Sequence, residues 1–151
     1  MGVSRQYATR RNAILDALVR VTKEIDGTGT FHTNLFNNVE PRLLFWDEIE
    51  EFPAVNFNTG SESVEYQGAG YKDRYLNVMA RCYVDEENAA GALGALLEDL
   101  ETVIEDNAKL RFIDRTGAEQ YTQDITIISI DTDEGTLEPI GVGEIQLLVR
   151  Y

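Results

Sequence analysis

Apolar residues recur at helical spacing in two segments of the chain, and this spacing predicts two amphipathic helices. The first covers residues 4–25, with Ser4 placed to cap its start and Gly27 placed to end it. The second follows Asp85, which is placed to cap it, and runs to about residue 106. The apolar positions are Ile14, Leu18, Val21 and Ile25 in the first helix, and Leu93, Leu96, Leu97, Leu100, Val103 and Ile104 in the second.

Alternation of apolar and polar residues predicts strands elsewhere in the chain. The longest covers residues 74–84, and a Gly-rich hairpin tip at 67–73 precedes it. Shorter strands are expected at residues 54–58, 62–66 and 110–113, with a turn at 59–61. Residues 123–130 and 144–151 are expected to form an antiparallel pair, joined by a connection that contains Gly and Pro. In the last strand Ile145, Leu147, Val149 and Tyr151 share one face.

The longest predicted strand has one apolar face and one mixed face. The mixed face carries Tyr75, Arg81 and Tyr83, together with Asn77 and Met79. It is too aromatic for a plain solvent face and too polar for a plain core, so it is a candidate contact surface.

Residues 30–53 have little periodicity but many large apolar side chains, among them Phe45 and Trp46. An irregular connection of this length is uncommon in a compact domain and is usually functional. The alternative is that its aromatic residues cover one edge of the sheet, because large aromatics mostly contribute to cores.

The order of elements is helix, irregular segment, strands, helix, strands. Helices that do not alternate one for one with strands indicate an α+β fold. We expect an antiparallel or mixed sheet with the two main helices packed on one face, in a single domain covering residues 1–151.

Charge is unevenly distributed along the chain. The net charge is −14, yet the first helix carries +3, from five basic and two acidic residues, which leaves −17 for the rest. Its basic residues are Arg5, Arg10, Arg11, Arg20 and Lys23. A chain this acidic should not bind a phosphate backbone, although nucleic acid could slide past it. The plainer interpretation is that the acids keep the protein soluble.

The motifs of common catalytic and metal sites are missing from the sequence. Zinc, P-loop and dinucleotide signatures are absent, and the single histidine, His32, has no nucleophile at a known spacing. The residues around Asp131 and Asp133 are a poor calcium loop, because Gly135 and Val142 stand where oxygen ligands are required. Cys82 lies in the apolar register of a strand, which predicts a buried thiol. We therefore expect no catalytic residues, no metal and no cofactor.

The chain has no signal peptide and no run of 18 apolar residues, so we expect a soluble protein made in a cytoplasm, with no membrane partner.

The layout resembles the tail terminator or tail-completion proteins of long-tailed bacteriophages. The resemblance rests on the basic first helix, the start of a strand at residues 52–57, the strand at 75–84 that leads into the helix at 93–104, and the closing stretch from 132 to 151.

This resemblance implies a structural virion protein that forms a homohexameric ring at the head-proximal end of the tail tube. The ring would cap the tube protein, stop its polymerisation and join the neck or head-completion protein, with the tail sheath as a further partner in a contractile tail. Genomic DNA would pass through its lumen without specific binding. The protein would be assembled in the host cytoplasm.

Two groups of residues are candidates for these contacts. The candidate subunit or partner interface comprises Arg5, Arg10, Arg11, Arg20, Phe45, Trp46, Tyr75, Arg81 and Tyr83. The candidate acidic lumen or partner face comprises Glu62, Glu65, Asp73, Glu98, Asp99 and Glu101. A solvated surface is the plainer interpretation of the second group.

Two other functions stay open at the level of sequence. One is a different head–tail connector or neck completion protein of the same virions. The other is a small acidic ligand-binding domain or enzyme with a site assembled only in space. Oligomeric state and tail length in the absence of the protein would separate the three.

Overall fold

In its described residues, a computed structural model of the chain has a five-stranded mixed sheet, a small two-stranded sheet and two α-helices. It describes residues 9–151, except for the side chain of Trp46. The helices are α1 (Arg10–Thr22) and α2 (Ala89–Asp106). The strands are β1 (Val39–Glu40), β2 (Ala54–Tyr66), β3 (Lys72–Asp85), β4 (Arg111–Ile113), β5 (Glu119–Tyr121), β6 (Asp124–Thr132) and β7 (Ile140–Arg150). The predicted α+β class is confirmed.

The larger sheet has the strand order β1-β2-β3-β7-β6, and only the β1–β2 pair is parallel. The predicted antiparallel pairing of the last two strands is confirmed, with Ile125 opposite Val149 and Ile127 opposite Leu147. β4 and β5 form the second sheet.

Both helices cover one face of the larger sheet, which we call the helix face. Alternate residues of β3 and β7 point to it and are buried, including Leu76, Val78, Ile145 and Leu147. Leucines of α2 contact the backbone of β7 so closely that a methyl group added at Gly143 would lie 3.1 Å from Leu93. The apolar residues that recur every 3.6 positions in the helices and every two positions in the strands therefore pack together in one core.

Two predicted strand segments are in fact one. β2 continues from Ala54 to Tyr66 without the expected turn at residues 59–61. The register with β3 shifts between Thr59 and Glu62, so Gly60 and Ser61 form an irregularity within the strand and not a turn. The hairpin tip at residues 67–73 is confirmed, with a 3₁₀ turn at Gly68–Gly70.

The helix caps differ from the prediction. α1 is capped by Thr9, whose hydroxyl accepts a 3.2 Å hydrogen bond from the Asn12 N–H, whereas Ser4 lies outside the described residues. α2 is capped by Asn88 and not by Asp85, which still belongs to β3. The strand continues to Asp85 because that residue pairs with Ile140.

The segment between β1 and β2 covers part of the opposite face of the sheet, which we call the open face. The carbonyl oxygen of Leu44 accepts hydrogen bonds from the Tyr83 hydroxyl at 2.6 Å and from the Asn56 amide at 3.4 Å. Tyr83 and Asn56 both point to the open face, so this segment lies over one end of it.

Candidate assembly surfaces

The first helix divides its positive charges between internal contacts and solvent. Arg10 lies over the ring of Tyr151, with its guanidinium carbon 5.9 Å from the ring centroid. Arg11 donates to the carbonyl oxygen of Gly60 and lies 4.0 Å from the Glu62 carboxylate. Arg20 is exposed and donates to the Arg111 carbonyl oxygen at 3.1 Å. Arg5 lies outside the described residues.

Glu62 is the centre of a charge cluster and not a solvent-facing lumen residue. Its carboxylate accepts hydrogen bonds from Arg74 at 2.9 Å and from the Tyr151 hydroxyl at 2.8 Å, in addition to the ion pair with Arg11. Only 11% of its side chain is exposed. The prediction of Glu62 as part of an acidic face is therefore wrong, because two arginines neutralise it.

Asp73 is neutralised in a similar way. Arg150 donates to its carboxylate at 3.1 Å, and Gln67 and Gln123 also donate to it. The hydrogen bond from Arg150 holds the pKa of Asp73 below its usual value. The Arg150 guanidinium also lies over the ring of Tyr75, 5.9 Å from its centroid. Asp73 and Tyr75 thus belong to one contact cluster within the subunit, on the open face, and Asp73 offers no free negative charge.

Asp99 faces the interior. It is 3% exposed, and its carboxylate accepts hydrogen bonds from the backbone N–H groups of Thr33 at 2.8 Å and His32 at 3.0 Å. The carboxylate therefore fixes the loop that follows α1 against α2. Its assignment to an exposed acidic face is wrong, since helical position alone did not reveal that a loop covers this side of α2.

Tyr83 is also buried within the subunit, where a neighbouring subunit would not reach it. It is 2% exposed, and burial raises the pKa of its hydroxyl. The segment that supplies the Leu44 carbonyl covers it, so the prediction of Tyr83 as an interface residue is wrong. Arg81, on the same face, is half-buried and donates to the Glu144 carboxylate at 3.0 Å.

The three remaining acidic candidates lie on two different faces. Glu65 is exposed on the open face, opposite Asp73 on the neighbouring strand. Glu98 and Glu101 lie on α2, which packs on the helix face. Desolvation, followed by a hydrogen bond with Glu105, raises the pKa of Glu101. These three residues cannot line one surface of a subunit together.

Several exposed apolar residues were not among the contact residues predicted from the sequence. Phe45 is 59% exposed, and its role as a contact residue stays a prediction. Phe36 is 66% exposed, and Tyr66 and Tyr71, on either side of the 3₁₀ turn at Gly68–Gly70, are 76% and 71% exposed. An aromatic residue next to a Gly-rich tip is the signal that could have identified the last two.

A groove with a volume of about 470 Å³ lies between the open face of β1 and β2 and the segment that covers it. Its lining includes four glutamates: Glu40, Glu48, Glu50 and Glu51. Asn56 also lines it; this residue is 1% exposed, and its side-chain oxygen Oδ1 has no hydrogen-bond partner. An unpaired buried acceptor of this kind costs about 1–3 kcal/mol.

Catalytic chemistry has little support among residues 9–151. No group of three or more His, Cys, Asp or Glu side chains there is arranged to hold a metal ion. His32 lies 3.5 Å from Glu98, and both side chains are exposed. Cys82 is buried, as predicted, and burial raises the pKa of its thiol to about 12. None of the described helices is long and apolar enough to span a membrane.

Comparison with known proteins identifies the family of the chain that carries these surfaces. A sequence model of the bacteriophage tail tube terminator protein family matches residues 8–151. The chain belongs to this family. Over 149 residues it is 32% identical to the tail tube terminator protein p142 of Escherichia phage T5, an alignment that covers 93% of this chain and 92% of that protein.

A solved structure has the same fold. It is a chain from the virion of a native gene transfer agent particle, with a TM-score of 0.57 at 11% identity, over 96% of this chain and 98% of that one. The tail tube terminator is therefore a structural protein of the virion tail, and its family is not an enzyme family. The resemblance inferred from the sequence layout is confirmed.

Proposed function

We propose that this tail tube terminator assembles as a closed ring of six copies at the head-proximal end of the tail tube. The ring caps the last layer of tube protein, ends its polymerisation and provides the joint to the neck or head-completion protein. The observation that carries this proposal is the family match, which extends over residues 8–151. Residues 1–151 act as one domain in this assembly.

The distribution of charge supports a ring built from repeated, unlike contacts. A ring with rotational symmetry around one axis joins one patch of each subunit to a different patch of the next. α1 carries exposed basic residues on the helix face, and the glutamate-lined groove lies on the open face. Two unlike patches on opposite faces suit a head-to-tail contact better than a contact between identical patches.

We further propose that DNA passes through the lumen without specific binding. The net charge of −14 disfavours contact with phosphates, which proteins normally bind by replacing counterions with Lys and Arg. Glu98 and Glu101 on α2, or Glu65 on the hairpin, are the candidates for the lining, and these alternatives place opposite faces of the sheet towards the DNA.

The partners in this proposal are other copies of the chain, the tail tube protein and the neck or head-completion protein. The tail sheath is added if the tail is contractile. Assembly takes place in the host cytoplasm.

The test is to remove the protein during phage assembly and to measure tail lengths by electron microscopy. We expect tails of unregulated length without heads, and restoration of uniform tails by the wild-type chain supplied in trans. Finished tails of normal length that fail to join heads would instead identify a neck protein. Mass photometry of the purified chain, alone and with tube ends, then counts the copies in the ring.

A further inference from the structure

The groove on the open face contains an incomplete hydrogen-bond arrangement. The Asn56 amide nitrogen donates to the Leu44 carbonyl oxygen at 3.4 Å, while its Oδ1 atom has no donor. The same carbonyl oxygen already accepts the Tyr83 hydroxyl at 2.6 Å. Buried acceptors in native proteins are nearly always paired, so the unpaired Oδ1 indicates a donor that the isolated subunit does not supply.

The charge around the groove specifies the kind of donor. Glu40, Glu50 and Glu51 are exposed at its rim, and their only basic neighbour in the lining is Arg42. Glu48 contributes a fourth carboxylate, which accepts the Phe45 N–H at 3.2 Å. A guanidinium or ammonium group satisfies both features, because it brings several N–H donors and a positive charge.

The chain itself carries basic groups that remain available. Of the basic residues of α1, Arg10 lies over Tyr151 and Arg11 is paired with Glu62. Arg20, in the last turn of α1, and Lys23, the residue that caps its end, are three positions apart and both exposed. Neither lies within ion-pair distance of a carboxylate among residues 9–151, and Arg20 uses one guanidinium nitrogen to donate to the Arg111 carbonyl oxygen. Residues three apart share one side of a helix, so these two cations form one patch.

A subunit cannot fill its own groove with this patch. α1 packs on the helix face, whereas Asn56 lies opposite Arg81 and points to the open face. The sheet therefore separates the two within one chain, and only another copy can bring them together.

We infer that the groove lined by Asn56, Glu50 and Glu51 binds the basic end of α1, Arg20 and Lys23, from a neighbouring copy of the chain. The inference rests on the proposed ring, and it names the two patches that join each pair of subunits. Because the two patches carry opposite charge, the groove of each copy binds the α1 end of the next copy and not another groove. Repetition of this one contact around an axis forms a closed ring.

Charge reversal on each side tests the contact. Glu50→Lys/Glu51→Lys makes the groove basic, and Arg20→Glu/Lys23→Glu makes the helix end acidic. By sedimentation velocity we expect each variant alone to need a concentration about tenfold higher for assembly, since close charge pairs across interfaces couple strongly. An equal mixture should restore the ring, because the two variants can alternate around an even-numbered circle. Native mass spectrometry should find equal numbers of each.

Two further variants keep the test independent of folding and of total charge. Glu105→Lys/Asp106→Lys changes the net charge equally but lies at the end of α2, and it should assemble like the wild type. Asn56→Leu removes both the unpaired acceptor and the long 3.4 Å hydrogen bond to Leu44, whose carbonyl oxygen keeps the Tyr83 hydroxyl, so the isolated subunit should lose little stability to heat, while assembly weakens. Circular dichroism checks that every variant is folded.

The outcomes separate this inference from the proposed ring. A wild-type chain that never assembles, alone or on tube ends, would contradict both. A ring that forms equally well with the reversed groove would overturn the inference and leave the ring intact. A reversed groove that leaves the ring intact but blocks attachment of tubes or heads would assign the groove to another virion protein, and would also overturn it.

Discussion

The Tyr151 hydroxyl donates a 2.8 Å hydrogen bond to the Glu62 carboxylate, across a sequence separation of 89 residues. Arg74 lies between them on β3: its side chain binds Glu62, and its backbone N–H and C=O pair with those of Tyr151. Together with Arg11, this cluster fastens the end of β7 to the hairpin and to α1. The negative charge of Glu62 is thereby removed from the outer surface.

The first prediction concerns the strength of this bond. Tyr151→Phe should lower the free energy of unfolding by about 1.5 kcal/mol, because the lost hydrogen bond is to a charged, mostly buried acceptor. Urea unfolding of the two proteins measures the difference. Tyr121→Phe is the matched control: its hydroxyl also binds a glutamate, Glu119, but both side chains are exposed, and its effect should be within about 0.5 kcal/mol. Equal effects would mean that the Tyr151 bond is no stronger than a surface contact.

The second prediction concerns alkaline pH. Burial, followed by the hydrogen bond to Glu62, raises the pKa of Tyr151 from 10.0 to about 12. The fold therefore favours the neutral phenol, and this contribution to stability is complete below pH 10 and is lost as the pH rises towards 12. The free energy of unfolding, measured from pH 9 to 12, should fall more steeply for the wild type than for Tyr151→Phe. The Cys82 thiol, whose pKa is also raised to about 12, affects both proteins alike. If the free energies of unfolding of the two proteins fell in parallel with pH, ionisation of Tyr151 would not be the cause of the loss.

The third prediction tests the structural role of Asp99. Asp99→Ala should lower the free energy of unfolding by about 2–3 kcal/mol, because it leaves the backbone N–H groups of His32 and Thr33 without their acceptor. Asp99→Asn keeps one oxygen and should cost less. Glu98→Ala, at the next position but exposed, should change stability by no more than about 0.5 kcal/mol. Denaturant unfolding of the three variants gives the order. A harmless Asp99→Ala would show that the loop does not need the carboxylate.

The fourth prediction compares two glycines. A methyl group at Gly94, which is exposed on α2, would meet nothing within 4 Å, so Gly94→Ala should stabilise the subunit by about 1 kcal/mol. At Gly141 the added carbon would lie 2.8 Å from a methyl group of the buried Val84, so Gly141→Ala should destabilise it by about 1–3 kcal/mol. Thermal unfolding distinguishes the signs. Loss of assembly in a stabilised Gly94→Ala variant would indicate that a neighbouring subunit approaches α2 at this point.

The pattern of the sequence predicted the parts of the fold that depend on local periodicity. The apolar stripe of α2 and the alternation in β3 and β7 are local, and the structure has both elements. The short parallel strand β1 and the continuous β2 were missed. A two-residue strand carries no periodic signal, and the Thr-Gly-Ser turn residues in β2 lie in an irregularity that only pairing with β3 stabilises.

The candidate surfaces were predicted less well, for a physical reason. Glu62 and Asp99 were predicted to be free acids because no basic residue stands within four positions of them, and Asp73 was predicted to be free although Lys72 and Arg74 flank it. Their partners, such as Tyr151 and Arg150, come from strands and loops distant along the chain. Phe45 is exposed, and its role in a subunit or partner interface stays a prediction, while the Leu44 contact shows that its segment covers part of the sheet.

The α+β class, the basic first helix and the layout that marks the tail terminator family could all be predicted from the sequence, because periodicity and composition are properties of neighbouring residues. Which charges remain at the surface depends on contacts between residues that are distant along the chain. Strand register and the packing of loops bring distant residues within hydrogen-bond distance, and this pairing neutralises Glu62 and leaves Arg20, Lys23 and the groove glutamates available to a neighbour.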